Sequence, residues 1–174
     1  MNYYLGIDAG FSGAIAILLA GDGKPTEING IMDMPLRKMD KGQRIDLTHL
    51  KNQLTLYDFA GATIEKAQAM PAERIVGGKV IRQGIASTAK YMQAYGEVYG
   101  LLVGLDIPVY EVHPASWKKA MMKDMPRGKE ASIIKVQQLY PKMKFTRKKD
   151  HGIADAILIG LYGLKYSNFF LDNV

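Results

Sequence analysis

Three acidic residues stand alone inside apolar runs: Asp8 in YYLGIDAGFSGAIAIL, Glu65 in ATIEKAQAMP and Asp155 in DHGIADAILIGLYG. Runs of this kind go to the inside of a fold. A carboxylate carried in with them is costly unless it is paired, protonated or bound to a cation. A chain with three such groups, spread from one end of the sequence to the other, must either gather them or satisfy each one separately. Each has a plain alternative: Asp8 can cap the turn at Ala9-Gly10, and Glu65 can pair at the surface with Lys66. Asp155 is the hardest to explain that way, because Ala154, Ala156, Ile157, Leu158 and Ile159 surround it.

The surrounding elements follow from residue pattern. Residues 2–8 read as a strand around Gly6, AGFSG as a small-residue turn and AIAILLA as a second strand. GDGKP reads as a hairpin loop, residues 27–35 as a third strand stopped at Pro35, and RKMDKGQR as an exposed loop. Asp46 can cap a helix to about residue 58, with Leu47, Leu50, Leu54 and Tyr57 on one face. GATIEKA is a short fourth strand. Residues 71–87 mix glycine and charge without a clean period and read as a mobile loop with some helix. A helix over 91–105 repeats Gly96, Gly100 and Gly104 at every fourth position, a stripe suited to a helix–helix or dimer contact. IPVYEVH is a fifth strand, and Pro114 opens a short helix holding Trp117, expected in the core with a polar edge. Helices over 127–140 and 150–166 complete the chain.

This order predicts one α/β domain over 1–174, a mixed five-stranded sheet of three antiparallel strands then two parallel ones, flanked by helices. The ribonuclease H-like fold has this order. Its first strand is central and its fourth runs parallel beside it. Alternation then sets Gly6 and Asp8 opposite Leu5 and Ile7, and Thr63 and Glu65 opposite Ile64. Asp8 and Glu65 would project from the carboxyl ends of neighbouring strands, where ligands gather in open α/β sheets. Asp155 would lie in the last helix, packed across that edge.

Carboxylate ligands select hard cations, Mg²⁺ or Mn²⁺. Two such ions about 3.5–4 Å apart activate a water and stabilise a leaving oxygen in phosphodiester cleavage, with Asp8 placed to reach both. Without metal, carboxylates this close repel and at least one takes up a proton. The fourth group is either Asp150 or His151. Asp150 can be the N-cap of the last helix and His151 a surface residue of its first turn. Functionally, His151 shares a helical face with Asp155 as ligand or proton carrier. Asp150 needs an irregular first turn but is the better Mg²⁺ ligand, and is slightly favoured. His49 and His113 read as structural.

Charge is placed unevenly. The chain carries net +6, yet residues 118–149 alone hold eleven basic residues against Asp124 and Glu130. Among them are Lys118, Lys119, Lys123, Arg127, Lys129, Arg147, Lys148 and Lys149, a footprint for a polyanion or a solvated basic face. No apolar stretch is long enough for a membrane span. The start lacks a secretory pattern. Zero cysteines fit a reducing compartment. A cytoplasmic location in a phage or bacterial setting, or a DNA-containing organelle, is expected.

GIDAGFSGAIAIL, IEKAQAMP, VHPASWKK, KEAS…LYP and KKDHGIADAILIGLYG, in this order, resemble the RuvC-like Holliday junction resolvases, the phage-type and chloroplast members above all. The resemblance implies a homodimeric, Mg²⁺-dependent endonuclease that nicks two opposed strands of a four-way DNA junction. It carries Asp8, Glu65, Asp155 and a fourth group at Asp150 or His151 as the active site. Bacterial members place their last two acidic positions three apart, which falls here on Gly152. The resemblance also makes Arg74, Lys79 and Arg82 junction-contact candidates, and the glycine stripe makes the 91–105 helix the expected dimer contact. Other readings remain: a nuclease of the same fold acting on flaps or RNA–DNA hybrids, a non-catalytic branched-DNA binder, or an actin-like ATPase, which needs a second domain.

Overall fold

The computed structural model describes residues 2–21, 26–68, 73–76, 79–82, 84–126, 128 and 130–167, with backbone alone at 20, 73–76 and 79–82. The hairpin loop expected at GDGKP therefore falls largely outside the described residues, as do Arg127 and Lys129.

Strands β1 (Asn2–Asp8), β2 (Ala14–Ala20), β3 (Glu27–Asp33), β6 (Phe59–Glu65) and β9 (Val109–Val112) form the main sheet. Its order is β3-β2-β1-β6-β9. The first three strands are antiparallel, and β6 and β9 run parallel to β1, with Ile7 opposite Ile64. This is the expected mixed sheet, with β1 at its centre.

Two stretches differ from expectation. The exposed loop RKMDKGQR contains a small antiparallel pair, β4 (Leu36–Lys38) and β5 (Gln43–Ile45). Gly42 turns it at φ +86°, a left-handed conformation that glycine adopts without strain. The region 71–87 holds a hairpin, β7 (Glu73–Val76) with β8 (Lys79–Arg82), in place of the expected loop, and its helical part is the start of the helix that opens at Ile85. ERIV-GG-KVIR, two β-branched runs around Gly-Gly, is the hairpin signal that the search for a longer period passes over.

The helices are α1 (Leu47–Leu54), α2 (Ile85–Gly104), α3 (Pro114–Met121), α4 (Ala131–Leu139) and α5 (His151–Tyr166). Helix α2 begins six residues before the expected start, and α4 four residues after it. Strand alternation sends Ile15 and Ile17 to the face covered by α1 and α2, and Ala14, Ala16 and Leu18 to the face covered by α3, α4 and α5. Trp117 is fully buried in the second face. From Gly152 to Gly160 every residue of α5 is buried except Asp155, which is partly so. A helix apolar all round belongs inside.

Helix α5 lies directly on the sheet because glycines let it. A Cβ on Gly6 of β1 would stand 2.1 Å from the Ala156 carbonyl oxygen and 2.5 Å from the Gly160 nitrogen. At the other end of the contact, Tyr4 and Thr63 share a 2.8 Å hydroxyl bond beneath Gly163. The small-residue stripe singled out in the sequence behaves differently: Cβ atoms at Gly96, Gly100 and Gly104 would meet nothing within 4 Å. Among the described residues that stripe packs against nothing.

Candidate active site

The first strand ends in a tight turn in which the Gly13 amide donates to the Gly10 carbonyl at 2.9 Å and the Gly10 amide reaches Asp8 Oδ1 at 3.4 Å. Asp8 thereby projects from the carboxyl end of β1, on the α5 face. Glu65 ends the parallel neighbour β6, and Asp155 stands one turn into α5.

The three carboxylates form one electrostatic group. Burial, then repulsion from Asp155 and from Glu65, pushes the Asp8 carboxyl up to about 7, against the small opposing pull of the Gly10 amide and of His151. Burial also raises Glu65, opposed by the Trp117 hydrogen bond and Lys118, and reinforced by Asp155. Asp155 is raised by burial and held back by a hydrogen bond from Ser132 and by the charges of Lys118 and His151. The same field acts on a neighbour: burial, Glu65 and Asp8 push the Tyr91 hydroxyl up to about 12. So widely separated sequence positions come within electrostatic reach of one another at the carboxyl ends of β1 and β6.

Trp117 is in the core with its polar edge used. Its Nε1–H donates to Glu65 Oε2 at 2.5 Å, leaving the other oxygen of Glu65 for a further partner. Lys118 lies over the Trp117 ring, 5.1 Å from its centroid, with its charge acting on Glu65 and Asp155. Lys118 was legible only as part of a basic run. Ser132 and Tyr91 carry no sequence signal for this site, since a serine at the start of one helix and a tyrosine inside another are common.

The two candidates for the fourth position have different partners. Asp150, slightly favoured from ligand chemistry, does not join the group. Its Oδ2 accepts the backbone N–H groups of Thr146 and Arg147, each at 2.8 Å, and its Oδ1 accepts from the Arg147 guanidinium at 2.7 Å. These donors outweigh the effect of burial and hold the carboxyl below its ordinary range. Asp150 thus anchors the loop entering α5. His151 acts on both Asp8 and Asp155. Its Nδ1 lies 3.1 Å from the Lys148 carbonyl oxygen, which can only accept, so the neutral ring carries its proton there. The lone pair is then on Nε2.

Gly152, where bacterial members would place an acid, cannot carry a side chain here. A Cβ would sit 2.5 Å from the Ser12 carbonyl oxygen and 3.2 Å from the Gly13 Cα. The same contact that seats α5 against the Asp8 turn excludes a carboxylate from that position.

Among the described residues no three His, Asp or Glu side chains stand together as an assembled metal cage. The donor set nevertheless suits a hard dication: three carboxylates, raised by burial and mutual repulsion, and an imidazole nearby whose neutral form would present Nε2.

Of the basic candidates, Lys119, Lys123 and Lys148 are exposed. Arg147 and Lys149 both bridge to Asp33, at 2.8 and 2.5 Å. Arg74, Lys79 and Arg82 lie in the β7–β8 hairpin, with side chains outside the described residues.

No family model matches the sequence, and no curated protein matches it. Solved structures do. One is Thermus thermophilus RuvC in complex with a Holliday junction substrate, at TM-score 0.70 and 15% identity over 98% of this chain and 97% of that one. Another is a T. thermophilus RuvC structure, at TM-score 0.64 and 18% identity over 97% and 96%. With the five-stranded mixed sheet and its flanking helices, the chain has the RuvC-type ribonuclease H-like fold.

Proposed function

We propose that this chain is a divalent-metal-dependent endonuclease that resolves four-way DNA junctions by paired, symmetric nicks. The observation that carries it is the single electrostatic group of Asp8, Glu65 and Asp155, with Asp8 raised to about 7 by burial and by the other two. It lies at the ligand end of the sheet, in a fold shared over nearly its whole length with a protein solved on a Holliday junction.

Two Mg²⁺ or Mn²⁺ ions would supply the activated water and the stabilisation of the leaving oxygen. Asp8, central in the group, would reach both. Glu65 offers the oxygen not engaged by Trp117, and Asp155 contributes from α5. His151 offers Nε2 as ligand or proton acceptor, held in that tautomer by Lys148. Lys118, whose charge acts on Glu65 and Asp155, would meet the non-bridging oxygens of a phosphate brought to the carboxylates. The exposed cations of residues 118–149 would neutralise backbone phosphates without reading sequence.

The proposed assembly is a homodimer through α2. Ile85, Met92 and Val103 are 90%, 42% and 53% exposed, and with Gly96 and Gly100 they line one face of the helix. A two-fold contact there sets two sites against the two opposed strands of a junction.

The test is Asp8→Asn on synthetic four-way junctions with Mg²⁺. Loss of cleavage with junction binding retained supports the reading. Unchanged cleavage overturns it, and cleavage of flaps or hybrids in preference to junctions would transfer the chemistry to another substrate.

A further inference from the structure

Beside the carboxylates the surface turns inward a second time. Between α4 and the chain leading into α5 lies a hollow of about 500 Å³, within the range of small-ligand sites. Ile133, Ile134 and Phe145 form apolar walls, and Gln137, Thr146 and Glu130 bring polar groups to its edge. His151 belongs both to this hollow and to the carboxylate group. A strand held at the carboxylates would therefore run beside it.

The floor is built in advance. The Thr146 and Arg147 amides are pinned by Asp150, and the Arg147 guanidinium is held between Asp150 and Asp33. The hollow thus keeps its shape without a ligand, which lowers the ordering cost of filling it. Its surroundings are cationic: Lys148 lines it, and Lys142, Lys144 and Lys149 flank it in sequence. A free apolar molecule has no use for that charge, but a nucleotide does. Apolar walls suit the faces of a base. An amide, a hydroxyl and a carboxylate suit its hydrogen-bonding edge.

We propose that this hollow receives one unstacked nucleobase of the strand whose phosphate lies at the carboxylates, and gives the enzyme a base preference at that nucleotide. The proposal rests on the nuclease reading. Ile134 and Phe145 would contact the faces of the base, and Gln137 would read its edge.

The test uses four-way junctions in which each base pair near the cleaved phosphate is replaced in turn by a mismatch, with binding measured without divalent ions. A mispaired base leaves the stack at less cost, so one position should bind the native chain about tenfold more tightly. Placed at that position, 2-aminopurine should gain emission on binding. Both signals should disappear in Ile134→Glu, which puts a negative charge on an apolar wall of the hollow, and shrink in Gln137→Ala; both sites are exposed, so the fold is kept. Tight junction binding with no mismatch effect at any position overturns the inference and leaves the nuclease reading standing. A mismatch effect that survives both substitutions also overturns it. No junction binding at all removes both.

Discussion

Asp8 shows how much of a function one side chain can hold. Its carboxyl, ordinarily near 3.8, is raised to about 7. Between those values the folded, metal-free chain keeps a proton that the unfolded chain has lost. Stability therefore falls as pH rises from about 4 to about 7. In Asp8→Asn this penalty is relieved: at pH 8 without metal, the variant should melt at least about 2–4 °C above the native chain, since recovering even about 1 kcal/mol moves the midpoint that far. Mg²⁺ should raise the melting temperature of the native chain and leave the variant's unchanged. Cleavage should drop by on the order of a thousandfold in the variant, several kcal/mol of transition-state stabilisation being lost. Asp150 is expected to behave in the opposite way. Its carboxyl is held low by amides and Arg147, so Asp150→Ala leaves two part-buried loop amides without their acceptor. It should lose about 2–3 kcal/mol in denaturant unfolding at pH 7. His151→Ala should unfold normally and lose cleavage.

At the scale of elements, the decisive contact is α5 on β1. A strand and a helix separated only by Gly6 and Gly160 leave no room for adjustment, and this contact sets where Asp155 stands relative to Asp8. Gly152→Ala would force a methyl group against the Ser12 carbonyl oxygen. It should cost about 1–3 kcal/mol of stability, as overpacking does, and should reduce cleavage more than junction binding, because the Asp8 turn and α5 are pushed apart together. Urea unfolding and single-turnover cleavage on one preparation check both. The strand alternation around Asp8 and Glu65 was readable, since period-2 patterning in a buried strand leaves few choices. The hairpin at 73–82 was not read, because its Gly-Gly pair sits among charges that look like an open loop.

For the whole molecule, charge and symmetry matter more than any single contact. The basic segment should give junction affinity that falls steeply with salt, by about one logarithmic unit per phosphate neutralised for each logarithmic unit of salt. Lys119→Ala with Lys123→Ala should lower that slope by about 2. Lys149, paired with Asp33, should matter less. The exposed stripe of α2 should make the chain a dimer by sedimentation at micromolar concentration, and Met92→Glu should give a monomer with intact fold and weakened resolution of junctions.

Chain order, the positions of the buried carboxylates and the placement of charge were fixed by local properties: side-chain polarity, period and the cost of an ion in an apolar run. From these follow the sheet, the face on which Asp8 and Glu65 lie, and the expectation of a cation. Tertiary contacts alone decided the rest. Asp150 and His151 are adjacent in sequence, with Asp150 slightly favoured there, but Asp150 is taken up by amides and a guanidinium supplied by the preceding loop, and His151 is the one whose charge acts on Asp8 and Asp155. Gly152 is a helix residue until the Ser12 carbonyl is placed against it. Ser132, Tyr91 and Trp117 enter the site only because helices distant in sequence close on one sheet edge, and spacing along the chain carries no record of that distance.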